Sequence, residues 1–109
     1  MDRDLASIQN ARDLLRRSRA AGKVLAEWDQ ATADAVVDAM ARAATDAAVD
    51  LAELAVQETG MGRVESKTAK NLFCSHHLHE AYRNTRTCGV LRDDRARGVI
   101  EIGAPVGIV

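Results

Sequence analysis

Three neighbouring histidines are the first residues of this sequence that could do chemistry. They are His76, His77 and His79, and Glu80 follows them. Residues three or four apart share a helical face, so His76, His79 and Glu80 could present two nitrogens and a carboxylate, which zinc accepts as ligands. No second cluster supplies a fourth ligand or a general base. The sequence therefore favours a solvated helix face, and we assign no metal ligand.

The two cysteines, Cys74 and Cys88, are the candidate nucleophiles. A thiol becomes reactive when a base or a helix N-terminus lowers its pKa. Cys74 falls among apolar residues in the middle of a predicted helix, which predicts inert packing, and Cys88 opens a strand without an obvious partner. Two cysteines do not make a disulfide framework, and there is no Cys-x-x-Cys pair for zinc. Because the sequence shows no secretory signal, we expect reduced thiols in a cytoplasmic protein. No catalytic residue is assigned.

A glycine-containing stretch from Gly60 to Glu65, with the sequence GMGRVE, looks like the start of a dinucleotide-binding fingerprint. It lacks the third glycine, and it follows a predicted helix, whereas the fingerprint must follow a strand. We interpret it as a joint between two helices, and we assign no cofactor-binding residue.

The composition limits the class of protein to which these residues can belong. The chain has 109 residues, room for one domain, and 47% of them are hydrophobic but only 3% aromatic. Alanine is abundant and buries little area, so we expect a thin core. A net charge of −1 argues against a nucleic-acid binder. No apolar run approaches the roughly 20 residues that cross a bilayer, and the first residues lack the apolar region of a secretory signal.

Helix signals dominate residues 1–85. The first predicted helix has apolar residues at Leu5, Ile8 and Leu15, at helical spacing. Asp29 or Thr32 can cap a second helix by accepting hydrogen bonds from its free backbone N–H groups. The expected buried stripe of this second helix consists of Val36, Met40, Ala43 and Ala47.

Two further helices are expected before the pattern changes. Asp46 is a plausible cap for the third helix, and Gly60 ends it because glycine can adopt the left-handed conformation. The buried residues expected on this helix include Leu51, Leu54 and Ala55. The fourth helix is predicted from about residue 63 to about residue 84, and its expected packing residues are Leu72, Phe73, Leu78, Ala81 and Tyr82.

Short β-branched segments replace the helical period after Thr87. Residues 88–92 and 99–102 are bounded by turn residues, and the polar stretch between them ends in Gly98, so they are predicted to form a hairpin. Pro105 closes the hairpin, and Val106 to Val109 is expected to begin another apolar strand. Such a strand needs a partner for its backbone groups, so we expect the chain to be a piece of a longer protein.

Several stretches taken together resemble the N-terminal end of the aldehyde dehydrogenase superfamily, and most closely its CoA-acylating branch. The residues that carry the resemblance are SIQNAR at 7–12, ETGMGRVE at 58–65, the spaced Lys67, Lys70 and Asn71, GVIEI at 98–102 and PVGIV at 105–109. The blocks keep the family's order and spacing over essentially the whole chain. No single block is diagnostic, but ETGMGRVE and PVGIV are specific as a pair.

The resemblance implies a fold and a reaction. It implies an α+β segment of an α/β enzyme: four N-terminal helices, a β-hairpin and the first strand of a Rossmann-type cofactor domain. Residues 1–86 would be the helical part of the cofactor domain, 87–104 a hairpin resembling the oligomerisation arm, and 105–109 the start of the first cofactor-domain strand. The parent enzyme would use NAD and coenzyme A to convert an aldehyde to an acyl-CoA, through a cysteine thiohemiacetal, and would be a homo-oligomer.

The family's catalytic cysteine, nucleotide-binding glycines and aldehyde pocket match no residue up to Val109. The segment alone is therefore expected to be a scaffold without turnover that binds no cofactor, and its partners would be the remainder of the enzyme or other subunits. The alternative is a free-standing helical interaction module that docks through its hairpin and open strand edge. Targeting to a bacterial microcompartment is a further possibility, but the sequence shows no separate tail and linker.

Overall fold

The computed structural model describes residues 2–109 and contains helices followed by one two-stranded antiparallel sheet. The helical elements are α1 (Arg3–Leu25), α2 (Gln30–Asp46), α3 (Ala48–Thr59), α4 (Val64–Leu72), a π-helical turn (Phe73–His77) and α5 (Leu78–Tyr82). The strands are β1 (Gly89–Asp94) and β2 (Val99–Gly103). The four-helix-plus-hairpin composition expected from the sequence is confirmed. None of the helices within residues 2–109 combines the length and apolar character that a membrane span requires.

The chain forms two compact units. The first unit combines the residues up to Ala33 with Arg86–Val109, and the second unit consists of Asp34–Thr85. In the first unit, α1 runs without a break through Gly22 and buries none of its residues. Its apolar side chains at Leu5, Ile8 and Leu15 are therefore not part of a core formed by the described residues.

The start of α2 is capped by Asp29, one of the two predicted capping residues. The Asp29 carboxylate accepts a hydrogen bond from the backbone N–H of Thr32, with an Oδ1–N distance of 2.8 Å. This bond satisfies an N–H group that has no partner within the helix. Asp29, and not Thr32, is the capping residue.

The second unit is built around the contact of α3 with α4. Its only buried apolar side chains are Ala48 and Ala52, which are 1% and 0% exposed. Small side chains let the helix backbones approach closely, and the Asn71 amide nitrogen on α4 donates a 2.9 Å hydrogen bond to the carbonyl oxygen of Ala48. The Ser75 side chain is buried beside this contact. The thin alanine core expected from the composition is what the structure shows.

The predicted stripe of α2 is wrong. Val36, Met40 and Ala43 are exposed, and only Ala47, which follows the end of α2, is half-buried. The partly buried face of α2 in this unit instead includes Asp38, Ala41 and Thr45. The Thr45 hydroxyl lies 3.1 Å from the Ser75 hydroxyl, so this face meets the π-helical turn through hydrogen bonds. Within residues 2–109 no element covers the more apolar face.

The larger residues of α3 are also on the uncovered side. Leu51 and Leu54 are exposed, whereas the predicted Ala55 is half-buried. Asp46 does not cap α3 as predicted, because it is the last residue of α2, and Ala47 precedes α3 without a side-chain cap. Gly60 ends α3 as predicted, with a left-handed φ of 65°.

The predicted fourth helix is one continuous helical stretch with a change of pitch. The π-helical turn inserts between α4 and α5 and shifts the phase of the side chains that follow it. Of the predicted packing residues only Leu72 is half-buried; Phe73, Leu78, Ala81 and Tyr82 are exposed.

The hairpin forms where the sequence predicts it. β1 pairs with β2 from Gly89 opposite Gly103 to Asp94 opposite Val99, and Leu91 is the extra residue of a bulge between Val90 and Arg92. The Asp94 carboxylate accepts the backbone N–H of Arg97 at 3.1 Å and so closes the turn. Residues 104–109 are not a strand, because within the described chain they have no partner with which to form a ladder.

The hydrogen bond at the start of α2 makes a pH dependence testable. Thr32, through its side chain and then its backbone, holds the pKa of Asp29 below the ordinary value of a carboxyl group. A lowered pKa in the folded state stabilises the fold at pH values above the unfolded-state pKa, and this contribution is lost as the pH falls through the folded-state pKa. We expect acid to destabilise the wild type more than Asp29→Asn, whose amide still caps but does not titrate. If the free energy of unfolding fell by the same amount in both proteins from neutral to acidic pH, this expectation would be contradicted.

Candidate functional site

Three of the titratable side chains that the sequence singles out, His76, His79 and Glu80, meet in one open cleft of the second unit. The cleft has a volume of about 300 Å³. It lies between α2 and the stretch formed by the π-helical turn and α5. The lining residues are Asp38, Ala41, Arg42, Thr45, Ser75, His76, His79, Glu80 and Arg83.

A short polar contact in the cleft joins α5 to α2. The Nε2 atom of His79 lies 2.7 Å from the Asp38 Oδ1 atom, and the His79 side chain is only 16% exposed. Glu80 is paired with Arg83 on the next turn at 3.3 Å. Arg42 and Arg83 line the cleft together with the two carboxylates, Asp38 and Glu80.

The expected histidine cluster is brought together in space but not as a ligand set. His76, His79 and Glu80 all line the cleft, as their spacing predicts. However, Asp38 occupies one nitrogen of His79, and Arg83 engages Glu80. Across residues 2–109 no three His, Cys, Asp or Glu side chains are placed so that they could hold a metal ion together. His77 does not line the cleft. Its ring lies edge-on to that of His76, with the two ring centroids 5.1 Å apart.

The hydroxyl groups in the floor of the cleft hold the helices together. Ser75 lies 2.7 Å from the Asn71 carbonyl oxygen and Thr45 lies 2.7 Å from that of Ala41, in addition to their contact with each other. The Ser75 hydroxyl donates its single proton to the Asn71 carbonyl oxygen, so this proton is engaged in a structural hydrogen bond. No hydrogen bond from Ser75 to His79 is among these contacts, so the cleft lacks a serine activated by a base.

Neither cysteine has the surroundings of a nucleophile. Cys74 is exposed on the π-helical turn, so the prediction that it packs inside the helix is wrong. The change of pitch at Phe73 explains this, because it rotates Ser75 and not Cys74 towards α2. Cys88 is half-buried, and within the described chain the only hydrogen-bond contact of its thiol is with the Thr87 hydroxyl at 3.7 Å.

The glycine stretch is the helix joint that the sequence predicts. Gly60 and Gly62 both have positive φ angles, and the segment connects α3 to α4. The Thr59 hydroxyl accepts the backbone N–H of Met61 at 3.1 Å, which holds the turn closed. A dinucleotide site needs a strand before its glycines. This stretch therefore does not fit an NAD phosphate.

Gln30 is the residue of structural importance that the sequence analysis missed. Its side-chain oxygen accepts the backbone N–H groups of Thr87 and Cys88 at 2.7 and 2.9 Å, and its nitrogen donates to the Thr87 hydroxyl at 3.0 Å. These partners are 57 and 58 positions away along the chain. No local periodicity or motif signals a contact of that separation.

The engagement of His79 predicts how the protein responds to zinc. We expect isothermal titration of untagged protein with zinc to show no stoichiometric heat that depends on His79, because its Nε2 atom is bonded to Asp38. His79→Gln is the comparison variant, and it should titrate like the wild type. A one-to-one binding isotherm that disappears in His79→Gln would contradict this assignment.

Searches for relatives identify what the chain is similar to. No protein-family model matches it. It is 43% identical over 96 residues to the bifunctional aldehyde-alcohol dehydrogenase of Escherichia coli (strain K12), covering 88% of this chain and 11% of that protein. It is 42% identical over 95 residues to the acylating sulfoacetaldehyde dehydrogenase of Cupriavidus necator, covering 85% of this chain and 19% of that protein.

Solved structures agree with the sequence relatives. The acetylating aldehyde dehydrogenase of Geobacillus thermoglucosidasius matches with a TM-score of 0.82 and 42% identity, over 87% of this chain and 21% of that one. A probable aldehyde dehydrogenase of Listeria monocytogenes matches with a TM-score of 0.87 and 37% identity, over 94% of this chain and 22% of that one. The chain thus spans between a tenth and a quarter of the length of these relatives. Over that span, the chain is similar in sequence and fold to acylating aldehyde dehydrogenases.

Proposed function

We propose that this chain is the N-terminal scaffold and subunit-contact segment of an NAD-dependent, CoA-acylating aldehyde dehydrogenase. The complete enzyme would convert an aldehyde, CoA and NAD to an acyl-CoA and NADH. The observation that carries the proposal is the uncovered apolar face of α2 and α3 in a chain 37–43% identical to such enzymes. Met40 is 65% exposed and Leu51 50% exposed, which is expected of residues that another part of a larger protein covers.

The segment contributes surface and not chemistry. Within the described residues, the His79–Asp38 pair has no hydrogen-bonded nucleophile. Neither of the two thiols is paired there with a base. The Gly60–Gly62 turn does not fit a dinucleotide. We therefore assign the bound NAD and CoA, and the reacting cysteine, to parts of the enzyme outside this chain.

The hairpin is the second surface that supports the proposal. Side chains alternate along each strand, so Ile100 and Ile102 share one face with Val90, which lies opposite Ile102. All three are exposed, and the other face carries the Arg92–Glu101 ion pair. An isolated two-stranded hairpin is at best marginally stable in water. A second subunit that covers the apolar face would stabilise it, so we assign the hairpin to homo-oligomer contacts.

The segment boundaries follow from the same assignment. We propose residues 1–86 as the helical part of the cofactor domain, 87–104 as the oligomerisation hairpin and 105–109 as the start of the first strand of the cofactor domain. That strand would acquire its ladder partner only in the complete sheet. We place the enzyme in the cytoplasm, where both thiols stay reduced.

Enzyme assays on two forms of the protein test the proposal. We expect the complete gene product to form NADH from short aldehydes such as acetaldehyde only when CoA is present. We expect residues 1–109 alone to form none, because the segment supplies neither nucleophile nor dinucleotide site. The measurement is the absorbance of NADH with and without CoA.

Either form can contradict the account. CoA-dependent NADH formation by residues 1–109 would show that the segment is catalytic. A complete gene product without CoA-dependent activity on any short aldehyde would contradict the reaction. In the second case, light scattering that shows residues 1–109 in a defined complex would favour the interaction-module alternative.

A further inference from the structure

The base of the hairpin is tied to the first residue of α2 by one side chain. Gln30 makes three hydrogen bonds to Thr87 and Cys88, the two residues that precede β1. Their backbone N–H groups lie outside the ladder of the hairpin, which begins at Gly89. Backbone donors that leave a ladder need another acceptor. The amide oxygen of Gln30 serves both.

The amide group is used on both its atoms, which fixes its orientation. The oxygen accepts from two neighbouring N–H groups, and the nitrogen donates to the Thr87 hydroxyl. The Asp29 carboxylate next to it caps α2 and holds the first turn in place. The contact therefore joins the capped first turn of α2 to the base of the hairpin.

The end of β2 is seated on the same two residues. A Cβ atom at Gly103 would collide with the carbonyl group of Thr87 and would lie 3.2 Å from the Cys88 nitrogen. Only glycine allows this approach. On the other side of Thr87, the Arg86 guanidinium donates to the carbonyl oxygen of Val90 at 2.9 Å. The segment Arg86–Cys88 is thus held by both strands and by Gln30.

We infer that Gln30 is the positioning residue of the hairpin. Its amide sets the direction of the strand pair relative to the first residue of α2, and this direction presents the apolar face of the hairpin to a second copy of the chain. This inference rests on the proposed role of the hairpin as a subunit contact. β1 has six residues and is about 20 Å long, so a rotation of about 15° at its base displaces its tip by about 5 Å. Such a displacement is enough to misplace Ile100, which lies opposite Asp93 near the tip, against a partner.

Three substitutions in the complete gene product test the role of Gln30. Gln30→Met keeps the length and helix propensity of the side chain but removes every hydrogen bond. Gln30→Glu keeps the acceptor for both N–H groups, and its second oxygen can accept from the Thr87 hydroxyl. Gln57→Met is the matched control, because Gln57 is exposed on α3.

Two measurements separate the contact from its consequence. Amide hydrogen exchange at Thr87 and Cys88 should be about tenfold faster in Gln30→Met, because both N–H groups lose their acceptor, and unchanged in Gln57→Met. The dissociation constant of the oligomer, measured by analytical ultracentrifugation, should rise at least about tenfold in Gln30→Met. Gln30→Glu should restore both values towards the wild type.

The outcomes distinguish this inference from the proposed function. Unchanged exchange at Thr87 and Cys88 in Gln30→Met, or assembly as tight as in the wild type despite faster exchange, would overturn the role of Gln30. Weaker assembly in Gln57→Met as well would also overturn it, since the effect would then not be specific to the hairpin base. A monomeric wild type would instead overturn the subunit contact itself, before any variant is compared.

Discussion

The close approach of α3 to α4 at Ala48 and Ala52 is the constraint on which the second unit depends. Two methyl-sized side chains take almost no space, so the Asn71 amide can reach a backbone carbonyl group and the Ser75 hydroxyl can reach Thr45. A contact made in this way uses the smallest face of each helix. Met40 on α2 and Leu51 and Leu54 on α3 take no part in this contact and are exposed.

This division of faces explains why a chain so rich in apolar residues has so small a core. In a folded protein, most apolar groups that lie together on one helix face are covered. Each Å² of apolar surface removed from water stabilises the fold by about 25 cal/mol. The face of α2 that carries Met40 and the face of the hairpin that carries Ile100 are exposed within residues 2–109, so neither face provides this stabilisation there. In a segment that matches a tenth to a quarter of larger enzymes, these faces are the surfaces against which we expect further chain or further subunits to pack.

The features that could be predicted from the sequence are those set by local chemistry. Asp29 as a cap, the left-handed Gly60 and the turn before Gly98 each follow from the type of a residue and its immediate neighbours. The buried face of α2 could not be predicted in this way. Hydrophobicity points to Val36 and Met40, but the partly buried residues are Ala41 and Thr45, because close packing and the hydrogen bond from Thr45 to Ser75 decide the contact inside the unit. Gln30 escaped prediction because its partners are distant in sequence, and the π-helical turn because it changes the phase on which periodicity relies.

The most direct test of the account is the response of the complete gene product to a charge on the uncovered face of α2. Met40→Glu places a carboxylate on that face, and Gln57→Glu places one at an exposed polar position of α3 as the control. If further chain covers Met40, burying the unpaired charge should lower the free energy of unfolding by roughly 3 kcal/mol or more, while the control changes it by no more than about 0.5 kcal/mol. Equal stability of the two variants would show that the Met40 face stays in water, and it would contradict the central claim that this segment is one side of a larger packed structure.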